Sequence, residues 1–385
     1  MMQSNRAGRT VPPVTSFPRL LMILAICCFA AGCVKPPPTG GGKRYLWPPS
    51  AADAKIEYLG FYASDADLRR GQSNWFEAVV LGEEHPDALF KYPYTVDARF
   101  GTVAVVDQGL SRVLLLDLAG KRQTSIGDPT ETETGLVMPM GVALTAAREV
   151  LVVDAKEALV RRYALDGKPL GAFGKDELTR PAAIAIDRSG EHMVVVDTAG
   201  HRLAIFDKAG DLLGYVGGRG GGPGEFNFPV DADFGPDGEL FVLDAMNARV
   251  QKFLRDGDSY RFVGEFGERG TAAGSFSMAK ALAISPSGHV YVTDALSHKV
   301  VVFDRDGAFL LNFGGKSFAV DGRVSPGGFY MPRGIAVDEN DGIWVVDSLN
   351  RMVHHFQYLN EAYLREHPIS SDQLFQSLPG PGGRQ

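Results

Sequence analysis

Along most of the chain, apolar positions come in runs of four or five, cut by Asp-Gly or Pro-x-x-Gly turns and ended by an aspartate. Residues 228–257 carry the pattern most fully. Phe228-Pro229 lead into a short alternating run, Pro236-Asp237-Gly238 turns the chain, and Leu240-Phe241-Val242-Leu243 ends on Asp244. Arg249 then opens the alternating Val250-Gln251-Lys252-Phe253 before a second turn at Asp256-Gly257. Alternation over so few residues between such turns predicts short antiparallel strands. One such unit carries an apolar face that it cannot cover alone.

Further copies cover it. Apolar runs end on Asp107, Asp154, Asp197, Asp244, Asp294 and Asp347, at intervals of 47, 43, 47, 50 and 53 residues. Proline precedes five of the six copies (Pro93, Pro139, Pro181, Pro229, Pro332), with Ala279 in its place in the fifth copy. An aromatic closes the third run at Tyr163, Phe206, Phe253, Phe303 and Phe356, with Leu115 or Leu116 standing in for the first copy. A glycine ends a fourth run at Gly127, Gly174, Gly217, Gly267 and Gly314. This period marks a propeller blade or a solenoid unit, and six units of about four strands fit an all-β, six-bladed β-propeller, a closed ring that removes long sheet edges.

The pattern Pro-x-Gly-φ-Ala-φ-Asp, Gly-x-φ-φ-Val-φ-Asp, Asn-x-Arg-φ-x-x-Phe, with φ apolar, resembles the NHL repeat. The sixth copy shows it as Pro332-Arg333-Gly334-Ile335-Ala336-Val337-Asp338 and Gly342-Ile343-Trp344-Val345-Val346-Asp347, and the fourth supplies Asn247 and Arg249. The linker 217–226 is similar to the family's inter-blade linker. The likeness covers roughly residues 90–357, with the second copy (Glu157, Ala158, Leu159) the most divergent. It implies the propeller fold and leaves function open, because this architecture hosts binding scaffolds and unrelated enzymes.

Residues 1–19 carry Arg6, Arg9 and Arg19 and no acid, and Leu20–Ala31 is apolar throughout. That order reads as a secretory leader over 1–32, too short to span a bilayer comfortably. Ala30-Ala31-Gly32-Cys33 resembles a bacterial lipobox, with Ala where Leu is usual. The resemblance implies cleavage before Cys33 and its acylation, enough for stable membrane anchoring; an ordinary signal peptide with an incidental cysteine is the alternative. Residues 33–52, with Pro36-Pro37-Pro38 and Gly40-Gly41-Gly42, read as a flexible tether. The expected placement is the cell envelope of a bacterium, the outer membrane if Gram-negative, as Val34 implies by the family rule.

All three cysteines (Cys27, Cys28, Cys33) lie in or beside the leader, so no disulfide framework, Cys-x-x-Cys site or haem-attachment motif is present. Without the leader's three arginines, 36 of the 39 basic residues face 46 acidic ones, a net charge of −10. Such acidity argues against nucleic acid or anionic lipid headgroups as partners. It suits a monomer held off a membrane by acylated Cys33.

The propeller is expected over 53–366. Lys55–Tyr62 reads as a strand that completes the last blade, and Asp65–Leu81 as a short helix with Asp65 as its cap. Residues from Tyr358 to Glu366 read as a last strand or short helix, and 367–385 as a flexible tail.

In a propeller of this kind, the residues around Pro-x-Gly and the loops after the strand-ending Asp share one mouth. That arrangement sets Tyr94, Met140, Ala182, Asp231, Lys280 and Arg333 around a rim, with Gln108, Lys156, His201, Asn247, His298 and Asn350 nearby. Lys280 and Arg333 against Asp231 form either a structural salt bridge or ligand contacts. His201 and His298 each follow a strand-ending Asp by four residues, which repetition explains without a metal. His354 and His355 are adjacent on a strand and point to opposite faces. The six strand-ending aspartates read as loop caps. Gly218-Arg219-Gly220 lacks the helix of a dinucleotide fingerprint, and 338–342 is too short for a calcium loop.

Two functional classes follow. The first is an envelope scaffold that docks a protein or peptide through its loop-lined mouth, with no cofactor or catalytic residue. The second is a metal-dependent propeller enzyme, a lyase- or lactonase-like hydrolase holding calcium or zinc, which needs several Asp, Glu or His side chains converging at one depth.

Overall fold

Every aspartate-ended run is the second strand of an antiparallel sheet, and six such sheets form the protein. The computed structural model describes residues 44–50, 52–69, 87–127, 130, 134–319 and 325–370. The expected leader, Cys33, most of the tether, the helix beyond Arg69 and the tail after 370 lie outside the described residues.

An N-terminal pair, β1 (Tyr45–Trp47) and β2 (Ile56–Tyr62), precedes the first blade. That blade holds β3 (Pro93–Arg99), β4 (Thr102–Asp107), β5 (Arg112–Asp117) and β6 (Arg122–Ile126). The second holds β7 (Pro139–Leu144), β8 (Glu149–Asp154), β9 (Leu159–Ala164) and β10 (Pro169–Phe173). In the third are β11 (Pro181–Ile186), β12 (His192–Asp197), β13 (Arg202–Asp207) and β14 (Leu212–Val216). The fourth is made of β15 (Pro229–Phe234), β16 (Leu240–Asp244), β17 (Arg249–Asp256) and β18 (Ser259–Phe266). Then come β19 (Ala279–Ile284), β20 (Val290–Asp294), β21 (Lys299–Phe303) and β22 (Phe309–Gly314) in the fifth. The sixth sheet has the order β1-β2-β25-β24-β23, with β23 (Pro332–Val337), β24 (Gly342–Asp347) and β25 (Met352–Tyr358) from the other end of the chain.

Each inner strand packs on the next, and β23 returns to β3, so the ring is shut. The core lies between blades. One cluster joins Val194, Val196, Leu203 and Ile205 to Ala232, Leu240, Val242 and Phe253 of the following blade. Facing inner strands approach too closely for large side chains: a Cβ on Gly334 would stand 2.4 Å from the Thr95 Cα.

Two local readings are corrected. Tyr45–Trp47, inside the stretch expected as tether, is a strand paired with β2, because Leu46 is buried with Ala54 and Leu359. The described helix α1 (Asp65–Leu68) is capped by Ser64, not Asp65; Asp67 Oδ2 accepts the Ser64 N–H at 2.9 Å. After β25, residues Glu361–Glu366 form α2, capped by Asn360.

Candidate functional site

The first ladder of every blade is bulged just after its opening residue, with register shifts at Pro93/Thr95, Pro139/Gly141, Pro181/Ala183, Pro229/Asp231, Ala279/Ala281 and Pro332/Ile335. A bulge leaves one residue out of the ladder and re-aims its side chain. Tyr94, Met140, Ala182, Val230, Lys280 and Arg333 occupy that position, and all six line one cavity of ≈ 240 Å³ at the funnel mouth. Ala155 and Thr198, which directly follow strand-ending aspartates, line it too. Asp231 lines the same cavity one residue further along β15 than the bulge position, in register with Leu243.

Asp231 opens to the funnel, yet it sits deep enough in the ring that burial pushes its carboxyl up to about 8. Its Oδ1 accepts the Ala232 N–H at 3.0 Å and its Oδ2 accepts the Leu282 N–H of the next blade at 2.9 Å. These bonds favour the charged form but do not outweigh burial. The Arg333 guanidinium lies 4.9 Å from the Tyr94 ring centre and 5.7 Å from that of Tyr92. Burial raises the Tyr94 phenol, against the nearby Arg333 charge. Burial, and then Arg333, hold the Lys280 amine below its ordinary value. Among the described residues no ion pair joins Asp231 to Lys280 or Arg333, so the salt-bridge alternative is set aside.

The other rim candidates do not line this cavity. His201 Nδ1 accepts the Phe228 N–H at 3.2 Å, and His298 Nδ1 accepts the Met331 N–H at 3.1 Å. Each histidine thus holds the residue that enters the next blade. Asn247 donates to the Gly220 carbonyl and to Asp244, at 3.0 and 2.7 Å. Asn350 donates to the Ser317 carbonyl at 3.0 Å and accepts the Ala319 N–H at 2.8 Å. Gln108 donates to the Pro139 carbonyl and the Met140 sulfur, and Lys156 is exposed. The strand-ending aspartates are fully buried and accept N–H groups of the loop that enters their own blade, as Asp107 does from Lys91 and Tyr92 at 2.8 and 2.9 Å.

Sequence reasoning missed Arg180 and Met138, which also line the cavity, and Tyr92 beneath Arg333. Arg180 and Tyr92 immediately precede a strand-opening proline, and Met138 does so in its own copy; that shared position is the signal that marks them.

A larger cavity of ≈ 660 Å³ opens at the opposite end, among the turns between first and second strands. Much of its charge is paired, Arg162–Glu149 at 2.7 Å, Lys208–Glu191 at 2.9 Å and Arg99–Asp97 at 3.6 Å, while Arg188 and Asp233 on its wall have no ion pair among the described residues. Asp187 and Asp338 there cap their own turns. Volume favours that end, but the smaller mouth gathers three cations, a phenol and a raised carboxyl in one recess.

The family described as SMP-30/Gluconolactonase/LRE-like region matches residues 138–365, more than half of the 385. The chain belongs to the SMP-30/gluconolactonase/LRE-like family. No curated protein matches its sequence. Among solved structures, this SMP-30/gluconolactonase-type propeller is similar to a gluconolactonase from Xanthomonas campestris, with TM-score 0.55, 13% identity, and coverage of 83% of this chain and 96% of that one. It is also similar to a Bacteroides thetaiotaomicron protein of unknown function (TM-score 0.54, 18% identity, 70% of each chain). A streptogramin B lyase aligns with TM-score 0.51 and 11% identity, over 69% of this chain and 93% of that one. At these identities the likenesses show the shared fold.

The metal expected for a lactonase- or lyase-like propeller does not fit this mouth. Asp231 is the one carboxyl lining it, both its oxygens already accept backbone N–H groups, and three cations share the cavity. Among the described residues no group of three or more His, Cys, Asp or Glu suits a metal ion. The arrangement instead offers a protonated carboxyl, a phenol and positive charge to whatever enters.

Proposed function

We propose that the protein is an enzyme of the hydrolase or lyase kind, acting on a small ring ester held in the funnel mouth. The observation that carries this is the convergence, in one cavity, of a carboxyl neutral at pH 7 (Asp231), the Tyr94 phenol, and Lys280 and Arg333, which have no carboxylate partner among the described residues. Opening an ester places negative charge on the carbonyl oxygen and requires a proton on the departing oxygen. Lys280 and Arg333 supply the charge stabilisation, and Asp231 holds the proton. In hydrolysis, water adds to the carbonyl carbon, the ring C–O bond breaks, and the departing oxygen takes the Asp231 proton. The proton lost by the water restores Asp231. A ≈ 240 Å³ cavity is smaller than the about 300–1,000 Å³ typical of drug-sized ligands, which suits a monosaccharide-sized molecule. Gluconolactonase in the family's description supports a lactone as the substrate class.

The test is proton release from lactones with and without a carboxylate of their own, glucarolactone and gluconolactone among them, measured at constant pH against the spontaneous rate. Wild type is expected to exceed that rate, and Asp231→Asn to lose about 100-fold or more. A wild type no faster than buffer, across the lactones, overturns the proposal.

A second reading, docking of an envelope protein or peptide, is favoured by exposed apolar residues on the same face. Leu110, Met246, Leu296 and Leu349 each stand in a loop just after a strand-ending aspartate. Cross-linkers placed at Met246 and Leu296 in cells test it, and the absence of any discrete adduct counts against it. Either activity is proposed to operate in a bacterial envelope, on a monomer of NHL-type repeats tethered through acylated Cys33. Support for the tether is the basic-apolar leader and the Pro- and Gly-rich stretch behind it. Mass measurement of the membrane-purified mature chain checks it.

A further inference from the structure

We infer that the funnel mouth is an anion site, and that the molecule it takes carries a carboxylate or phosphate of its own. This deepens the reading of that mouth as the working site, and it rests on how the cations there are left. The buried or half-buried arginines Arg44, Arg202 and Arg249 each have a carboxylate partner: Glu57 for Arg44, Asp197 for Arg202, Asp244 and Glu265 for Arg249. At the mouth, Lys280 and Arg333 are half-buried, close enough to repel each other, and have no ion pair among the described residues. The Lys280 amine also makes no hydrogen bond there, although the chain as a whole carries a net charge of −7.

Asp294 attracts Lys280 only at a distance, without an ion pair, and holding two like charges in a recess with so little compensation is unfavourable unless something else occupies it part of the time. The faces of Tyr92 and Tyr94 fix where Arg333 sits, at 5.7 and 4.9 Å, but stacking leaves its charge in place. An arginine fork beside a lysine point charge is the donor set that carboxylates and phosphates match. Exposed Arg180 adds a third cation at the entrance. The single acid lining the cavity, Asp231, turns both oxygens to backbone N–H groups and keeps its proton at neutral pH, so it does not repel an anion. Tyr94 is the remaining titratable group on the wall, neutral and able to donate its hydroxyl.

The experiment is calorimetric titration of the full-length protein at constant ionic strength with glucuronate, inorganic phosphate and neutral glucose, repeated on Lys280→Met. Thermal unfolding of the variant confirms that it is folded. Glucuronate or phosphate is expected to bind where glucose does not, and Lys280→Met to weaken that binding about tenfold or more. Whichever of the two binds more tightly identifies the acid group. Glucose binding as well as glucuronate, no binding of either anion, or unchanged affinity in Lys280→Met each overturns the inference. Anion binding without lactone turnover would leave this inference standing and remove the proposed reaction. Turnover that neither anion inhibits or binds would do the opposite.

Discussion

Asp231 and Leu282 lie on neighbouring blades, and the carboxyl of the first accepts the backbone N–H of the second at 2.9 Å. Two residues further along each strand, Asp233 accepts the Ile284 N–H at 2.8 Å, and in the first blade Asp97 accepts that of Leu144 at 2.7 Å. An inner strand has no neighbour on its funnel edge, so its N–H groups would otherwise go unpaired. These aspartates knit adjacent edges together, and Asp231 and Asp233 do so at a depth where ionising them is unfavourable.

That cost has a sign that can be measured. Burial raises Asp231 from the ordinary 3.8 to about 8, so between those values the folded chain holds a proton that the unfolded chain has released. Stability therefore falls as pH rises through this window and levels off above about 8. Asp233, raised to about 6, adds to the fall over the lower part. Asp231→Asn keeps an acceptor for Leu282 but does not titrate. Urea unfolding at pH 5 and pH 8 should show a smaller loss in the variant than in wild type; equal losses would refute the assignment.

Gly334 is fixed by its neighbour across the ring. An added Cβ would stand 2.4 Å from the Thr95 Cα, a backbone atom that cannot swing away. Gly334→Ala should cost about 1–3 kcal/mol, the range for overpacked cores. Gly264→Ala, where a Cβ meets nothing within 4 Å, serves as the control and should change little. Denaturant midpoints for the two variants decide it.

Much of this ring is legible in the sequence because each blade repeats the same two devices: a turn and a buried aspartate ending its second run. The position after Pro229 and its equivalents is legible too, since the bulge makes it the rim residue of every blade. The sequence pattern places Asp231 on that rim, but Val230 holds the bulge position and Asp231 lies one residue past it. The roles of His201 and His298 are not readable from one repeat, because their acceptors bond the following blade. Nor does sequence reveal that Lys280 and Arg333 have no ion pair among the described residues, since the neighbouring inner strands that face them lie some 50 residues away.

His355 stacks on Trp344, with ring centres 3.8 Å apart and planes 9° from parallel. Burial alone pushes its pKa down to about 3. Its protonation is thus expected to favour unfolding: the unfolded chain takes up a proton below about 6.5 that the folded chain refuses, and stability drops as pH falls from there towards 3. Imidazole NMR shifts recorded from pH 8 to pH 4 should leave His355 unmoved. A midpoint near 6 for this ring would show that the stack opens to water.

One buried ion pair ties the described N-terminal strands to the segment around the C-terminal helix. Arg44 donates its Nε to Glu57 Oε1 at 2.6 Å, and the Tyr363 hydroxyl donates to Glu57 Oε2 at 3.1 Å. The same guanidinium reaches the carbonyls of His367 and Pro368, each at 3.1 Å, so it ties β2 to the segment after α2. Removing Glu57 leaves the Arg44 charge buried without its partner, and such a break costs about 3–5 kcal/mol. Replacing both by apolar residues of similar volume, Arg44→Met with Glu57→Leu, removes the stranded charge and should recover most of that loss. Unfolding curves for Glu57→Ala and the double variant separate the cases. A Glu57→Ala cost below about 1 kcal/mol would mean that water reaches the pair, and that apolar packing of Leu46, Ala54 and Leu359 holds the ring shut instead.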